Sequence, residues 1–457
     1  MPENVNHNRK AVWAWYFYDF GNSAFTTLIV TFIYATYYAK VMAASELDGT
    51  WLWSIGVSFT ALTVAMLSPI LGAAADRTNK RKAFLFAATM VCVVASFMLY
   101  FQKPYEWQHA HGLPHAAFTA LFWFIVGNIA FELGCSFYNS FLPDIAPADK
   151  IGRISGFGWG FGYVGGLICM VIALVGFIQP EMPWFGFGTE ASAHIRATNL
   201  LVGLWMLIFC MPIFIWVKEP GNYRDTTKDV NLIAESYQRL KETAGEIKKY
   251  RQLVRFLIAN LFYNDALVTI FSMGAVYATI VLNFSTEEIM IFGIVLNIMA
   301  GLGAALFGFL DDKLGGKKTI SYSIWGLLLA VIMATFAPDK TTFWVAGILV
   351  GIFAGPNQSA SRSLMGRFVP PEKESEFYGF FALSGKATSF LGPFLFGNVT
   401  ILVQQLFGNE APFAPQRAGI AVLIVLFAIG LVLLQQVNEQ EGMALAKIPD
   451  ELIKKDM

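Results

Sequence analysis

The sequence predicts an all-α integral membrane protein, with twelve transmembrane helices in two pseudo-symmetric six-helix bundles. Three observations carry that expectation. The 457-residue chain is 56% hydrophobic and only 14% charged, against about 25% charged residues in soluble proteins. Its apolar residues gather into runs long enough to cross a bilayer. Its lysines and arginines crowd into every second connecting loop. The net charge of zero, from 32 basic and 32 acidic residues, argues against a nucleic-acid partner, which would favour a basic excess. Cys92, Cys135, Cys169 and Cys210 lie far apart inside apolar runs, with neither metal spacing nor a disulfide framework.

A bilayer core about 30 Å thick needs about 20 mostly apolar residues per helix. In a first bundle, residues 1–217, such spans fall at 12–40, 51–75, 82–102, 117–141, 154–178 and 196–217. In a second, residues 252–457, they fall at 252–282, 287–311, 317–337, 342–363, 375–402 and 416–437. The runs are continuous rather than alternating, which excludes a β-barrel. The first carries Asp19, Asn22 and Ser23 and has no small-residue cleavage site, so it is expected to be a span rather than a removable signal. Between the bundles, residues 218–251 form the longest polar stretch. There Ile233, Tyr237, Leu240, Ala244 and Ile247 recur at helical spacing. They mark a linker helix that either lies on the membrane surface or stands in solvent.

Orientation follows from the loops. With the N-terminus placed inside, inner loops hold 26 lysines and arginines and outer loops five, while Lys386 falls within a span. Basic residues stay on the cytoplasmic side, so both termini are expected there, in the plasma (inner) membrane. A missed span would scramble this alternation.

The halves repeat. After span two comes Gly72, then Asp76-Arg77, Asn79 and a basic cluster; after span eight comes Gly308, then Asp312-Lys313, Gly315 and a basic cluster. Pro147 to Ser155-Gly156-Phe157 is matched more loosely by Pro371 to Tyr378-Gly379-Phe380. Internal repeats of this kind mark secondary-transporter folds. The duplicated Gly-x-x-x-Asp-Arg/Lys loop, in a six-plus-six chain, resembles the major facilitator superfamily of transporters over the whole length. Asn79 stands where the family usually has Gly; Asn tolerates the left-handed backbone of such a turn. The stretch from Trp15 through Asp19, Asn22 and Ser23 to Phe25, with Gly355-Pro356-Asn357-Gln358-Ser359, is similar to the branch related to the autophagy-associated vacuolar amino-acid effluxer. That resemblance implies transport of a small solute, with amino acids or small peptides as the expected class.

The resemblance also implies a cytoplasmic gate. Asp76 is expected against the N-terminus of span eleven, and Asp312 against that of span five, where unpaired amides and the helix dipole favour a carboxylate. Ser375 and Ser155 are expected as the N-caps of those helices. Arg77 is expected to pair with Asp144, and Lys313 takes the place of Arg77 in the second repeat.

Charge at membrane depth is costly and therefore points to function. Asp19, Glu132, Asp265 and Lys386 fall inside spans one, four, seven and eleven, which the family fold sets around or beside the central cavity. With Asn22, Asn128 and Asn264 they form the candidate set for substrate binding or proton coupling. Lys386 either binds an anionic substrate group or pairs with one of the acids. Arg362, at the cytoplasmic end of span ten, is the fifth such charge and reads either as a functional candidate or as an interfacial residue. Tyr16, Tyr18, Tyr138 and Tyr263 are further cavity candidates. Span five repeats glycine from Gly156 to Gly166, which lets helices approach closely. It lacks the Pro of the family's antiporter signature, so antiport is not implied. The family's span-four Arg is also absent, and Glu132 is the charge in that helix. Gly392-Pro393 predicts a bend in span eleven.

Other classes are disfavoured. No His-Glu-x-x-His, Gly-x-Ser-x-Gly or nucleotide-binding Gly-x-x-x-x-Gly-Lys-Ser/Thr motif is present, so neither an enzyme nor an ATP-driven pump is expected. His109, His111 and His115 read as a surface loop rather than a metal site. No cofactor or metal is expected. The expected partners are a small-molecule substrate, H+ as coupling ion and the lipid bilayer, with the chain acting as a monomer. A lipid flippase with the same fold is the alternative.

Overall fold

The computed structural model describes residues 9–110, 116–219, 250–371, 373–407 and 414–446, and every regular element among them is helical. Twelve long helices follow the predicted spans. They are α1 (Arg9–Met42), α2 (Glu46–Thr78), α3 (Arg81–Tyr100), α4 (Ala117–Ile145), α5 (Ile151–Ile178) and α6 (Glu190–Trp216), then α7 (Arg251–Leu282), α8 (Thr286–Leu314), α9 (Gly316–Thr335), α10 (Lys340–Phe368), α11 (Glu374–Phe407) and α12 (Ala414–Gln435). Eleven are long and apolar enough to cross a membrane. The exception, α10, has 29 residues and a polar run from Asn357 to Ser363 that lowers its hydropathy. Most of the linker 218–251 lies outside the described residues, as do His111 and His115; His109 sits in the short helix Tyr105–Ala110.

Local chemistry sets the helix boundaries. Asn79 turns the chain between α2 and α3 with φ 50°, and Gly315 does so between α8 and α9 with φ 92°. These are the two equivalent positions of the repeated loop. Ser285 and Glu288 form a reciprocal capping box at the start of α8. Several helices depart from regular geometry: α1 is π-helical over Phe25–Phe32 and Tyr38–Met42, α5 is π-helical over Leu174–Ile178, and α6 opens with a 3-10 turn over Glu190–Ser192. α11 is helical over Glu374–Lys386, turns through residues 387–390 and resumes at Leu391.

The chain forms two compact units. The first comprises residues 1–67, 78–139 and 161–222. In it α1 packs along α6, and α6 against α3. Trp15 and Tyr138 stack at 4.6 Å and exchange hydrogen bonds with each other's backbone, and Tyr18 stacks on the same ring at 4.7 Å. Tyr18 and Tyr138 are therefore packing residues that join α1 to α4, not cavity residues. A Cβ on Gly165 would collide with the Phe20 carbonyl of α1.

The second unit comprises residues 68–77, 140–160 and 223–457. In it α10 packs against α8 and α9, and α12 against α7, α9 and α11. The first-with-sixth and third-with-sixth pairings of the first unit thus recur as α7 with α12 and α9 with α12. This unit also takes in the last turns of α2, the end of α4 and the first turns of α5. A Cβ on Gly156 would strike the Ala304 carbonyl of α8. The glycine run of span five therefore serves two neighbours: α8 through its first part and α1 through its later part. Large apolar side chains left exposed on the helices, such as Leu62 and Met66 on α2, Ile208 and Ile215 on α6, and Trp325 on α9, form an outer surface suited to lipid rather than water.

Candidate functional site

Glycine and aspartate four residues apart lie on one face of a helix, one turn from each other. At the end of α2, a Cβ on Gly72 would overlap the Ser375 carbonyl, so only glycine lets the start of α11 come this close. One turn on, Asp76 accepts hydrogen bonds from the Ser375 and Glu376 amides at 3.0 and 2.8 Å. The second repeat builds the same contact on α5. A Cβ on Gly308 would crowd the Arg153 backbone, and Asp312 accepts from the Gly152 amide at 2.8 Å and the Arg153 amide at 3.3 Å. Arg153 Nε adds a hydrogen bond to Asp312 at 2.6 Å. Each carboxylate faces a helix N-terminus, where orphan amides and the dipole favour negative charge by about 0.3–2 kcal/mol.

Ser155 and Ser375 are not N-caps. α5 starts at Ile151 and α11 at Glu374, so both serines sit inside the first turns, and Asp76 and Asp312 bond the leading amides instead. Ser155 Oγ donates to the Ser359 carbonyl at 2.7 Å, and Ser375 Oγ bonds Ser140 Oγ. Arg362 is buried rather than interfacial: its Nε donates to Ser155 Oγ at 2.9 Å and its Nη2 to the Ser155 carbonyl at 2.6 Å. Arg77 is half-buried at the end of α2, Asp144 half-buried in the short turn that ends α4, and Lys313 exposed beside Asp312.

Three further groups join this cluster that sequence reasoning did not single out. Asp311, 1% exposed, accepts from Arg367 Nη1 at 2.6 Å and from Ser363 Oγ. Arg367 also reaches Glu439 at 3.4 Å. Glu439, just past α12, accepts from the Gly316 and Lys317 amides at 2.8 and 3.1 Å and so caps α9. The first unit repeats the device: Glu219, just past α6, accepts from the Lys82 amide and caps α3. Lys82 Nζ donates to the Val217 carbonyl, and Lys317 Nζ to the Gln435 carbonyl. Burial pushes the Glu219 carboxyl above its ordinary range, against the opposing pull of the Lys82 amide. The signal in the sequence was a glutamate shortly after the last span of each half.

The depth residues divide between the units. In the first, Asn22 is buried and its Nδ2 donates to Cys135 Sγ at 3.3 Å, one turn along α4 from the half-buried Glu132. Asn128 is buried on the same helix, and Asp19 is half-buried on α1 where Gly162 of α5 approaches it. In the second, Asn264 Nδ2 donates to the Gly385 carbonyl at 3.1 Å, beside the half-buried Lys386. Asp265 is 1% exposed, and neither carboxylate oxygen has a hydrogen-bond partner among the described residues. Tyr263 joins α7 to α10 through Ser361 at 2.8 Å.

Residues 48–447 match the family described as "Vacuole effluxer Atg22 like". The chain is 26% identical over 442 residues to the uncharacterized MFS-type transporter YxiO of Bacillus subtilis, covering 96% of this chain and 97% of that one. It is also 26% identical over 317 residues to autophagy-related protein 22-1 of Neosartorya fischeri, covering 64% of this chain and 49% of the relative. The chain therefore spans about half the length of that fungal relative. In fold it resembles the proton:xylose symporter XylE, with a TM-score of 0.67 at 15% identity, covering 97% of this chain and 98% of that one. A bacterial homologue of the iron transporter ferroportin, in an outward-facing state, gives a TM-score of 0.65 at 11% identity over 94% and 98% of the two chains. Relatives and structural neighbours alike are transporters of the major facilitator superfamily, not enzymes, and this chain belongs to the Atg22-like effluxer family within that fold.

Proposed function

We propose that this protein is a proton-coupled secondary transporter of a small polar solute, an amino acid or small peptide, working by alternating access. The bundles 1–217 and 252–457 rock about the substrate, joined by the linker 218–251. The observation that carries this reading is the duplicated contact in which Asp76 and Asp312 each hold the N-terminus of a helix from the other half of the sequence. Such contacts bind the basic, cytoplasmic ends of the helices when that side is closed, and they break when it opens. Arg77, Asp144 and Lys313 complete the gate. Asp19, Asn22, Asn128 and Glu132 in one unit, and Asn264, Asp265 and Lys386 in the other, supply the polar groups for solute and proton. Both termini face the cytoplasm of a plasma membrane, and the protein acts as a monomer. The proton couple is supported by neighbours named as proton symporters, and movement of a solute across a membrane by the vacuole-effluxer description of the matched family.

The test is uptake of a labelled amino-acid and dipeptide mixture by proteoliposomes under an imposed pH gradient. Accumulation that a protonophore abolishes supports the reading. Translocation of labelled phospholipid without solute accumulation would refute it in favour of a flippase.

A further inference from the structure

Asp265 is a buried carboxylate that the capping network leaves unused. It lies in the middle of α7, 1% exposed, with both oxygens unpartnered among the described residues. Against it lies the interruption of α11. Pro393 has no amide hydrogen and crowds the carbonyl four residues back, that of Ser389, which sits within the break. There the Ser389 and Leu391 amides bond three residues back, to the Lys386 and Thr388 carbonyls at 3.3 and 2.7 Å. α7 holds the break on both sides. Before it, Asn260 Nδ2 donates to Ser384 Oγ at 2.9 Å and Asn264 Nδ2 to the Gly385 carbonyl. After it, a Cβ on Gly392 would collide with Thr269 and lie 3.3 Å from the Asp265 carbonyl. Gly392 thus lies against the backbone of the residue that carries the buried carboxyl.

An ionised carboxylate here would be buried and uncompensated, whereas the carboxylic acid is tolerated. The charges on the neighbouring helices are engaged or distant. On α10, Lys340 is paired with Glu288, Arg362 holds Ser155 and Arg367 holds Asp311. α12 carries only Arg417, near its start, and Glu374 and Glu376 begin α11, about 15 Å before Lys386 at 1.5 Å per residue. Arg251 and Arg255 lie in the first turns of α7, Glu439 and Glu441 begin the short helix after α12, and the Tyr263 hydroxyl is bonded to Ser361. Lys386 stands at the near edge of the break, and the Gly392 amide, at its far edge, is the donor placed to respond when Asp265 ionises.

Resting on the transport reading above, we propose that Asp265 takes up and releases the coupled proton, and that its charge sets the conformation of the α11 break. The acid form packs beneath the closed break. Loss of the proton to water leaves a carboxylate that draws the Gly392 amide toward it and loosens residues 387–392. The proton alone is exchanged, and no bond between heavy atoms changes.

The experiment uses the full chain in lipid nanodiscs. Deuterium exchange of the peptide covering 387–392 is compared between wild type and Asp265→Asn at matched pD, on the order of pD 5 to 9. Infrared difference spectra between acid and alkaline conditions are recorded on both. At low pD the two exchange alike; at high pD the wild type exchanges about tenfold faster, an opening free energy lower by about 1.4 kcal/mol. A carboxylic-acid carbonyl band disappears on alkalinisation of the wild type and is missing from Asp265→Asn. Should that variant fail to fold, Pro393→Ala, which mends the break, removes the pH-dependence of exchange and keeps the band. Equal exchange at every pD, an unchanged band, or protection restored by sodium at high pD would overturn the proposal. Neither readout needs a substrate. Solute uptake with a pH-insensitive break sinks this inference alone, and a pH-sensitive break in a chain that moves no solute sinks the transport reading instead.

Discussion

Replacing Asp312 by Asn keeps the size of the side chain and removes its charge. The carboxylate accepts two amide hydrogen bonds at 2.8 and 3.3 Å and one from Arg153 Nε at 2.6 Å. Both amides bond Oδ1 and Arg153 Nε bonds Oδ2, so Asn with its carbonyl oxygen at the Oδ1 position keeps two neutral hydrogen bonds and loses the Arg153 ion pair and the negative charge. The Arg153 side chain is 38% exposed, which limits the ion pair to about 0.2–1 kcal/mol. The charge–dipole term adds about 0.3–2 kcal/mol. Together the closed arrangement should weaken by about 1–2 kcal/mol, a shift of about 5- to 30-fold in the balance between closed and open states. Lys150 and Lys313 flank the contact and are both exposed, so each can be changed to Cys for spin labelling once the four native cysteines are replaced. Pulsed electron resonance should then find one short distance in the parent and a second, longer population in Asp312→Asn. An unchanged distance distribution in the variant would refute the reasoning.

Other expectations follow from the same geometry. Gly72→Ala places a methyl against the Ser375 carbonyl and should favour the open state more than Asp76→Asn does, as read by labels on either side of that contact. Arg367→Met leaves Asp311 and Glu439 without their shared cation and should cost about 3–5 kcal/mol; thermal unfolding reads the loss, and Asp311→Asn in the same chain should recover part of it. Glu219 is more readily protonated folded than unfolded. Its contribution is therefore fully present below the unfolded value and is lost as pH rises through the folded one. The melting temperature of wild type minus that of Glu219→Gln should rise as the pH is lowered from neutral toward about 5, and a flat difference would remove Glu219 as the cause.

The spans were legible because lipid demands long apolar runs, and the Gly-x-x-x-Asp pair because its spacing fixes one helix face. The Gly392-Pro393 bend was legible for the same kind of reason: proline acts on its own helix, four residues back. Contacts between groups remote in sequence were not legible. Asp311 and Asp312 are adjacent and alike in sequence, yet Asp311 turns to Arg367 and Asp312 to the start of α5. Glu439 and Glu219 looked like ordinary charges following a span. Ser155 and Ser375 have the right chemistry for N-caps, but a carboxylate from another helix bonds the leading amides. Tyr18 and Tyr138 had no signature separating a cavity wall from a packed aromatic stack. The π-helical stretches of α1 arise in Phe25–Phe32 and Tyr38–Met42, where nothing in the local sequence marks them.

The claim that transport requires the contact between α5 and α8 to open is tested most directly by holding it shut. Lys150→Cys and Lys313→Cys, joined by a short cleavable crosslinker in the cysteine-free chain, should abolish solute uptake in proteoliposomes, and cleavage should restore it. Undiminished uptake by the crosslinked protein would contradict the account.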